Sequence, residues 1–137
     1  MNYTSDQAWE LSLLMLCVWR EARNQTFQAM LGVAWVVRNR ANGPVRWWGG
    51  PSYSSVILKP FQFSSFNLAD PNARLIPQEN DASFQQAQQA AVGAYSATLA
   101  DPTGGAVSYY STDIEAPDWA AEMEFTVQID SFRFYRS

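Results

Sequence analysis

The sequence predicts an α+β fold, mainly α, in which three long helices precede a small C-terminal β-hairpin or sheet. Apolar residues recur at helical spacing in three segments of the first 100 residues. Apolar and polar residues then alternate near the C-terminus, around an Asp-Ser pair, as in a hairpin. Helices first and strands last is the order typical of an α+β domain.

The first helix is predicted to begin at Thr4 or Ser5 and to end near Arg23. Thr4 and Gln7 have the spacing of a capping box. At about 100° per residue, one side of this helix carries a stripe of apolar residues, Ala8, Leu11, Leu14, Met15, Val18 and Ala22. Further apolar residues lie on the other side, so the segment is predicted to be a central helix with little contact with water.

Two more long helices follow the same pattern. Thr26 is expected to cap a helix from Phe27 to about Arg40, and a loop rich in Gly, Pro and Trp then leads to a short helical turn over Ser54–Lys59. Asp81 or Ser83 is expected to cap the third long helix, which is predicted to continue through Leu99.

The remaining C-terminal residues are predicted to be extended. Asp101–Gly105 has the composition of a tight turn, and Ala106–Ser111 follows as an extended segment. Phe125–Ile129 and Phe132–Phe134 alternate around Asp130-Ser131, which predicts the closing hairpin.

Length and charge restrict the class of protein. The 137 residues are the usual size of one compact domain, so residues 1–137 are predicted to form a single domain, with nothing that demands more than a monomer. The net charge is −4 and the basic residues are scattered, so nucleic acid is not an expected partner. A polysaccharide makes no such demand for positive charge.

The N-terminus and the cysteine content predict where the chain is made. Residues 1–6 lack the basic region and the cleavage site of a signal peptide, and the apolar stretch Leu11–Trp19 is too short to span a bilayer. The single cysteine, Cys17, forms no internal disulfide and is expected to behave as a small apolar side chain. We therefore expect synthesis in a cytosol, without an export signal or an integral membrane segment.

The chain contains no histidine. This absence excludes Ser-His-Asp and Cys-His nucleophilic catalysis and the usual zinc hydrolases, which depend on imidazole. Carboxylate chemistry is left, and no metal or other cofactor is expected.

Glu21 is the most informative carboxyl group. It lies at the edge of the apolar stripe, in the last turn of the first helix, where desolvation and the helix dipole both disfavour a charged carboxylate. Such a place suits a general acid, which must hold a proton. The alternative is a structural Glu paired with an arginine, although Arg20 and Arg23 project from the opposite side of the helix.

Four segments in collinear order resemble the spore-cortex-lytic cell wall hydrolase family (SleB type). Trp19–Arg23 resembles its aromatic-x-Glu-Ala-Arg signature, and Val33–Arg40 resembles its Val-Ala-x-Val-Val-x-Asn-Arg helix. Ser55–Ser64 is similar to its segment ending in Gln-Phe-Ser, and Asp101–Tyr110 to its Asp-Pro-Thr-Gly-Gly-Ala…Tyr-Tyr run. The resemblance extends from about Leu14 to Phe134.

The resemblance implies a glycosidase that acts on the glycan strands of peptidoglycan, with a fold similar to lysozymes and lytic transglycosylases. The family's catalytic glutamate corresponds to Glu21. The cleft residues that it implies for substrate binding are Gln62, Phe63, Ser64, Tyr109 and Tyr110.

This sequence departs from the family pattern at three places. Arg20 replaces the Gly before the family's catalytic Glu, and Asn24-Gln25 replaces Gly-Glu. At the hairpin position where the family often has His, either Phe132 stands in its place or the position is displaced. A compact catalytic domain without an export signal suits a phage endolysin better than a spore protein. It would accumulate in the host cytoplasm and reach the wall after release.

Other residues leave alternatives open. Trp47 and Trp48, with Tyr53, lie in a loop where they either stack on sugar rings or form a small separate core, while Trp35 and Trp119 are assigned to packing. The acidic residues considered as a second catalytic carboxylate are Asp70, Asp101, Asp113 and Asp118, each in a segment where Asp is common for backbone reasons.

Three functions are therefore compared. A lytic transglycosylase needs one carboxyl group, and it cleaves the bond between N-acetylmuramic acid (MurNAc) and N-acetylglucosamine (GlcNAc) to leave a 1,6-anhydro product; the resemblance favours this route. A hydrolytic muramidase needs a second carboxylate. A non-catalytic glycan-binding or phage structural module would have no use for Glu21.

Overall fold

The computed structural model describes residues 2–60, 62–67, 69–78 and 80–137, with the main chain alone at Ser64. Within these ranges the helices precede the sheet, so the predicted α+β order is confirmed. The elements are α1 (Ser5–Ala22), α2 (Phe27–Asn42), α3 (Tyr53–Ile57), α4 (Ala82–Tyr95), β1 (Ser108–Ser111), β2 (Glu124–Ile129) and β3 (Phe132–Arg136). None of the described helices is long and apolar enough to cross a membrane.

The central helix α1 begins with the predicted capping box. The Gln7 amide donates to Thr4 Oγ1 at 3.1 Å, and the Thr4 amide donates back to Gln7 Oε1 at 2.9 Å. The predicted stripe is buried from Leu11 onward except at Met15, which is partly buried, whereas Ala8 is exposed. The helix packs against α2 and α4, as its apolar surface predicts.

Helices α2 and α4 pack closely because α4 offers small side chains to its neighbours. Its buried residues are Ala87, Ala90, Ala91, Gly93 and Ala94. Helix α4 ends at Tyr95, four residues earlier than the predicted end at Leu99. Ala97 adopts the left-handed conformation (φ 55°), and the Leu99 amide then donates to the Gly93 carbonyl at 3.2 Å. The chain therefore reverses over its own helix instead of continuing it.

The sheet is antiparallel with the strand order β1-β3-β2, so the predicted hairpin is joined by a third strand. Asp130 takes a left-handed conformation in the turn (φ 51°), and its carboxylate accepts a hydrogen bond from the Thr26 amide at 2.8 Å. Phe134 on the central strand is fully buried and lies against Gly32 of α2, where an added Cβ would come within 2.7 Å of its ring. This close approach fixes the sheet against the helices.

Candidate active site

The sheet and the first helix meet at Glu21. This residue lies at the C-terminal end of α1, is partly buried, and accepts a hydrogen bond at Oε1 from the Tyr109 hydroxyl at 2.9 Å. Tyr109 lies on β1 opposite Phe134, with ring centroids 5.7 Å apart. The position of the carboxyl group is therefore set by two elements that are far apart in the sequence.

The arginines that flank Glu21 are engaged elsewhere. Arg20 donates through Nε and Nη2 to the Leu75 carbonyl at 3.2 and 3.0 Å, and through Nη1 to the Ser65 carbonyl at 3.3 Å. Arg23 donates to the Arg20 carbonyl at 3.0 Å and to Asn72 Oδ1 at 3.1 Å. Among the described residues the ion pair found is Arg136 with Glu124, so the Glu–Arg alternative does not hold for Glu21.

Two cavities meet at Glu21. The larger, of about 430 Å³, extends along β1 past Tyr109 and Tyr110 towards Trp119. The smaller, of about 260 Å³, lies on the side of Arg23 and Asn24 and has mostly polar walls. Glu21 therefore lies at the junction of a groove with room on both sides of the carboxyl group, which is the arrangement that cleavage within a polymer requires.

The segment that leads into β1 is held by α2. Asn39 donates from Nδ2 to Asp101 Oδ2 at 3.0 Å and to the Ala106 carbonyl at 2.9 Å. Asp101 also accepts hydrogen bonds from the amide and the hydroxyl of Thr103, at 2.7 and 2.6 Å. Gly104 follows at φ 67°, a conformation that favours glycine. Two of the segments that resemble the family, Val33–Arg40 and Asp101–Tyr110, therefore have a structural role. Their contacts place Tyr109 opposite Glu21.

Arg40 lies beneath the larger cavity and is almost completely buried. It donates from Nε to the Val107 carbonyl, and its guanidinium lies 5.4 Å from the ring centroids of Phe63 and Trp48. Burial lowers the pKa of Arg40 to about 10, with a partly opposing contribution from Tyr109, so the group stays charged near neutral pH. The sequence alone assigned no role to Arg40, although Arg40 is the last residue of the α2 segment that resembles the family.

Burial also keeps two acidic groups near Glu21 in their neutral forms. The pKa of Tyr109 is well above its ordinary value of 10, first because burial desolvates it and second because of the negative charge of Glu21. The pKa of the Cys17 thiol, one turn before Glu21 on α1, is raised by burial and then by the same charge. Tyr109 is therefore a hydrogen-bond donor at physiological pH, and Cys17 is the buried, apolar thiol that the sequence predicts.

The predicted substrate-binding residues differ in whether they are exposed on the wall of the larger cavity or buried beneath it. Gln62, Tyr109 and Tyr110 are partly exposed and line the larger cavity. Phe63 also borders it, but it is only 2% exposed, so it supports the floor and does not offer its ring to a ligand. The Ser64 side chain lies outside the described part of the structure.

The tryptophan pair of the loop after α2 behaves differently at its two positions. Trp47 is 53% exposed, whereas Trp48 is 3% exposed and packs between Arg40 and Arg46. The prediction that Trp48 stacks on a sugar is wrong because its ring is covered, and it forms part of a core. Tyr53 is likewise buried, against Tyr95.

The four acidic residues considered as a second carboxylate lie in different places. Asp70 accepts from the Asn72 amide, Asp101 is engaged in its turn, and Asp118 begins a 3-10 turn. Asp113 lines the smaller cavity together with Glu21, and it accepts a hydrogen bond from the Ser111 hydroxyl at 3.2 Å. Of the four, Asp113 alone shares a cavity with Glu21 among the described residues.

The segment between β1 and β2 supplies walls that sequence reasoning missed. Ile114, Pro117 and Trp119 border the larger cavity, and Trp119 had been assigned to packing alone. Trp119 does pack against Tyr135, at 5.3 Å between centroids, but it remains partly exposed. The available signal was the length of the segment between the two predicted extended segments, which is too long for a hairpin turn.

Comparison with known proteins identifies the class of protein to which this fold and cleft belong. The cell wall hydrolase family model matches residues 24–135. The chain therefore belongs to the cell wall hydrolase family. The match begins at residue 24, after Glu21, so the contribution of α1 to the site is taken from the structure.

Individual relatives agree with this assignment. The chain is 29% identical over 110 residues to the spore cortex-lytic enzyme of Halalkalibacterium halodurans, a match that covers 80% of this chain and 29% of that protein. It superposes with a TM-score of 0.75 on the catalytic domain of Bacillus cereus SleB, at 25% identity and over 99% and 94% of the two chains.

A second solved structure gives the same result. The catalytic domain of the germination-specific lytic transglycosylase SleB from Bacillus anthracis superposes with a TM-score of 0.74, at 24% identity and over 98% of each chain. The fold predicted from the sequence, mainly α and similar to lytic transglycosylases, is thus confirmed.

Proposed function

We propose that this chain cleaves the MurNAc–GlcNAc bond of peptidoglycan as a lytic transglycosylase, with Glu21 as both general acid and general base. The observation that carries the proposal is the position of Glu21. The carboxyl group lies where two cavities meet, is free of any described arginine, and is held by Tyr109 at 2.9 Å. The named activity of the Bacillus anthracis relative supports the same reaction class.

In the proposed reaction, protonated Glu21 donates its proton to the oxygen that links C1 of MurNAc to GlcNAc. The C1–oxygen bond breaks, the GlcNAc end leaves as an alcohol, and positive charge develops at C1. The Glu21 carboxylate then removes the proton from the 6-hydroxyl of the same MurNAc. That oxygen attacks C1, closes the 1,6-anhydro ring, and leaves Glu21 protonated for the next cycle.

Tyr109 supports both steps of this reaction. Its hydroxyl donates to Oε1, so the transferable proton of the acid form belongs on Oε2. When that proton leaves, the same hydrogen bond becomes charge-assisted and stabilises the carboxylate. Gln62 and Tyr110, further along the cavity wall, are proposed to contact the sugar substituents.

A zymogram with embedded peptidoglycan tests the proposal. Glu21→Gln keeps the size and the hydrogen-bond acceptor of the side chain but removes its acid, so the clearing zone is expected to disappear. Glu10→Gln is the matched control, because Glu10 lies on the same helix and accepts a hydrogen bond from the Ser54 amide at 3.0 Å, away from both cavities. Clearing by the Glu21 variant at the parental rate would show that the proton donor is another group.

Hydrolysis by a muramidase mechanism is the second candidate function, and Asp113 is the observation that favours it. This carboxylate lines the smaller cavity beside Glu21, where a hydrolytic enzyme would activate water. In a local turn, the Asp113 amide donates a hydrogen bond to the Ser111 hydroxyl oxygen, and the Ser111 hydroxyl donates one to the Asp113 carboxylate. This structural role accounts for an aspartate at position 113 equally well. The single-carboxylate route is therefore preferred.

The biological setting stays a prediction. Synthesis in a host cytoplasm, release to the wall and a role in phage lysis are expected to show as rapid lysis when the chain is expressed together with a membrane-permeabilising protein. Expression without that protein is expected to leave the cells intact. Lysis by expression alone would contradict this expectation.

A further inference from the structure

A third cavity adjoins the cleft at Trp119. It measures about 310 Å³, and we call it the tryptophan groove after its walls, Arg46, Trp47, Trp48, Trp119, Glu122 and Met123. Trp119 borders both this groove and the larger cavity that contains Glu21. Three of the six tryptophans of the chain therefore line one groove, which shares the wall residue Trp119 with the cavity of the proposed active site.

One wall of the groove is a tight turn fixed against α3. The Gly49 amide donates to the Arg46 carbonyl at 3.0 Å, and Gly49 has a φ of 97°. A Cβ at Gly49 would come within 2.5 Å of the Ser55 carbonyl oxygen, so the turn lies directly on that helix. Trp48 is buried and anchors the turn, which leaves Trp47 displayed at the surface.

The opposite wall is packed against the aromatic side chains of the sheet. Trp119 stands nearly perpendicular to Tyr135 and Tyr110, at interplanar angles of 89° and 76° and centroid distances of 5.3 and 6.0 Å. These edge contacts hold its ring in place while part of it remains exposed. A ligand in the groove would therefore meet two tryptophans that lose little conformational freedom on binding.

The chemistry of these walls fits a saccharide. The C–H faces of pyranose rings pack on aromatic side chains, and Arg46 and Glu122 add one hydrogen-bond donor group and one acceptor group for hydroxyl and acetamido substituents. A strand that passes Glu21 and continues along Tyr110 and Trp119 reaches this groove next.

We propose that the tryptophan groove is a distal saccharide subsite that binds sugar units of the glycan strand remote from Glu21. The inference rests on the proposed function, because it takes the occupant of the neighbouring cleft to be a glycan. Glu21 then lies off-centre in a longer groove, with a short polar side towards Arg23 and a long aromatic side that ends at Trp47. Long strands gain contacts that short ones cannot reach.

Calorimetric titration tests this subsite in the Glu21→Gln background, where turnover is prevented. The probes are soluble N-acetylglucosamine oligomers of two and six units. Trp47→Ala is expected to weaken binding of the hexamer about tenfold and to leave binding of the dimer unchanged. The matched control is Trp9→Ala, since Trp9 is 57% exposed on α1 and borders none of the cavities described above.

A second variant tests the opposite wall of the groove with a smaller change, which is chosen to preserve the fold. Trp119→Phe keeps an aromatic ring against Tyr135 and is expected to weaken hexamer binding less than Trp47→Ala does. Equal hexamer affinity in the parent and the Trp47 variant, or no preference of the parent for hexamer over dimer, would overturn the proposal. Because binding is measured without turnover, these results are separate from the zymogram, which alone decides the role of Glu21 in cleavage.

Discussion

The Tyr109 hydroxyl on β1 lies 2.9 Å from Glu21 Oε1 at the end of α1, although 88 positions separate the two residues. One hydrogen bond thus connects the sheet to the proposed acid. Because burial holds the pKa of Tyr109 well above 10, the phenol donates this bond throughout the neutral pH range. The relationship makes Tyr109 a positioning residue that can be tested separately from the fold.

Tyr109→Phe is expected to lower kcat roughly 10- to 100-fold, because a hydrogen bond to a charged group contributes about 1.5–3 kcal/mol. KM is expected to change little, since the bond acts on the catalytic group and not on the sugar. The measurement is initial-rate kinetics on soluble peptidoglycan fragments, with Tyr95→Phe as the control outside the cleft. A change confined to KM would contradict this role.

Much of the helical framework could be predicted from local patterns. The Thr4–Gln7 capping box and the start of α2 at Phe27 follow from residues adjacent in sequence, and both were found where predicted. The predicted end of α4 lies too far along the chain. No local sequence signal indicates that Ala97 adopts a left-handed conformation and that Leu99 packs back on Gly93. Helix ends that depend on such returning contacts are decided by packing.

The candidate site shows the same division. Glu21 could be selected from its place on the wheel and from its resemblance to a family motif, and Tyr109 from the resemblance as a cleft residue. The hydrogen bond between them could not be predicted, because it depends on how β1 docks on α1. Trp47 and Trp48 are neighbours of the same type, and only the tertiary structure decides that Trp48 is buried while Trp47 is exposed.

Arg20→Lys is expected to destabilise the protein by about 2 kcal/mol. Lysine cannot reproduce the forked donors that Arg20 directs to the Leu75 and Ser65 carbonyls. Hydrogen exchange is expected to increase in residues 62–67 and 69–78, which these bonds tie to α1. Urea unfolding measures the stability, and Arg74→Lys, an exposed change in the same loop, is the control. Equal stability of the two variants would show that the Arg20 bonds contribute nothing net.

Stability is expected to fall at alkaline pH through Cys17. Burial raises its folded-state pKa, so above the unfolded value of about 8.5 the unfolded chain loses a proton that the folded chain retains. The buried thiol therefore lowers the free energy of unfolding by up to about 1.4 kcal/mol for each pH unit above that pKa. Cys17→Ala is expected to flatten the decline between pH 8.5 and 10 in urea unfolding under reducing conditions. Parallel declines in the two proteins would exclude Cys17 as the cause.

Asp113→Asn is expected to retain activity within about threefold, because the single-carboxylate route asks nothing of this side chain, and asparagine can still accept the bond from Ser111. The assay is the same initial-rate measurement. A loss comparable to that of Glu21→Gln would instead assign Asp113 to a two-carboxylate hydrolysis.

Mass spectrometry of the fragments released from purified sacculi tests the central claim most directly, since it reports what becomes of C1 after Glu21 has donated its proton. If the Glu21 carboxylate recovers a proton from the 6-hydroxyl, the muropeptides end in 1,6-anhydro-MurNAc and are one water lighter than reducing ends. Products that carry reducing MurNAc ends would show that water attacks C1, and would contradict the account.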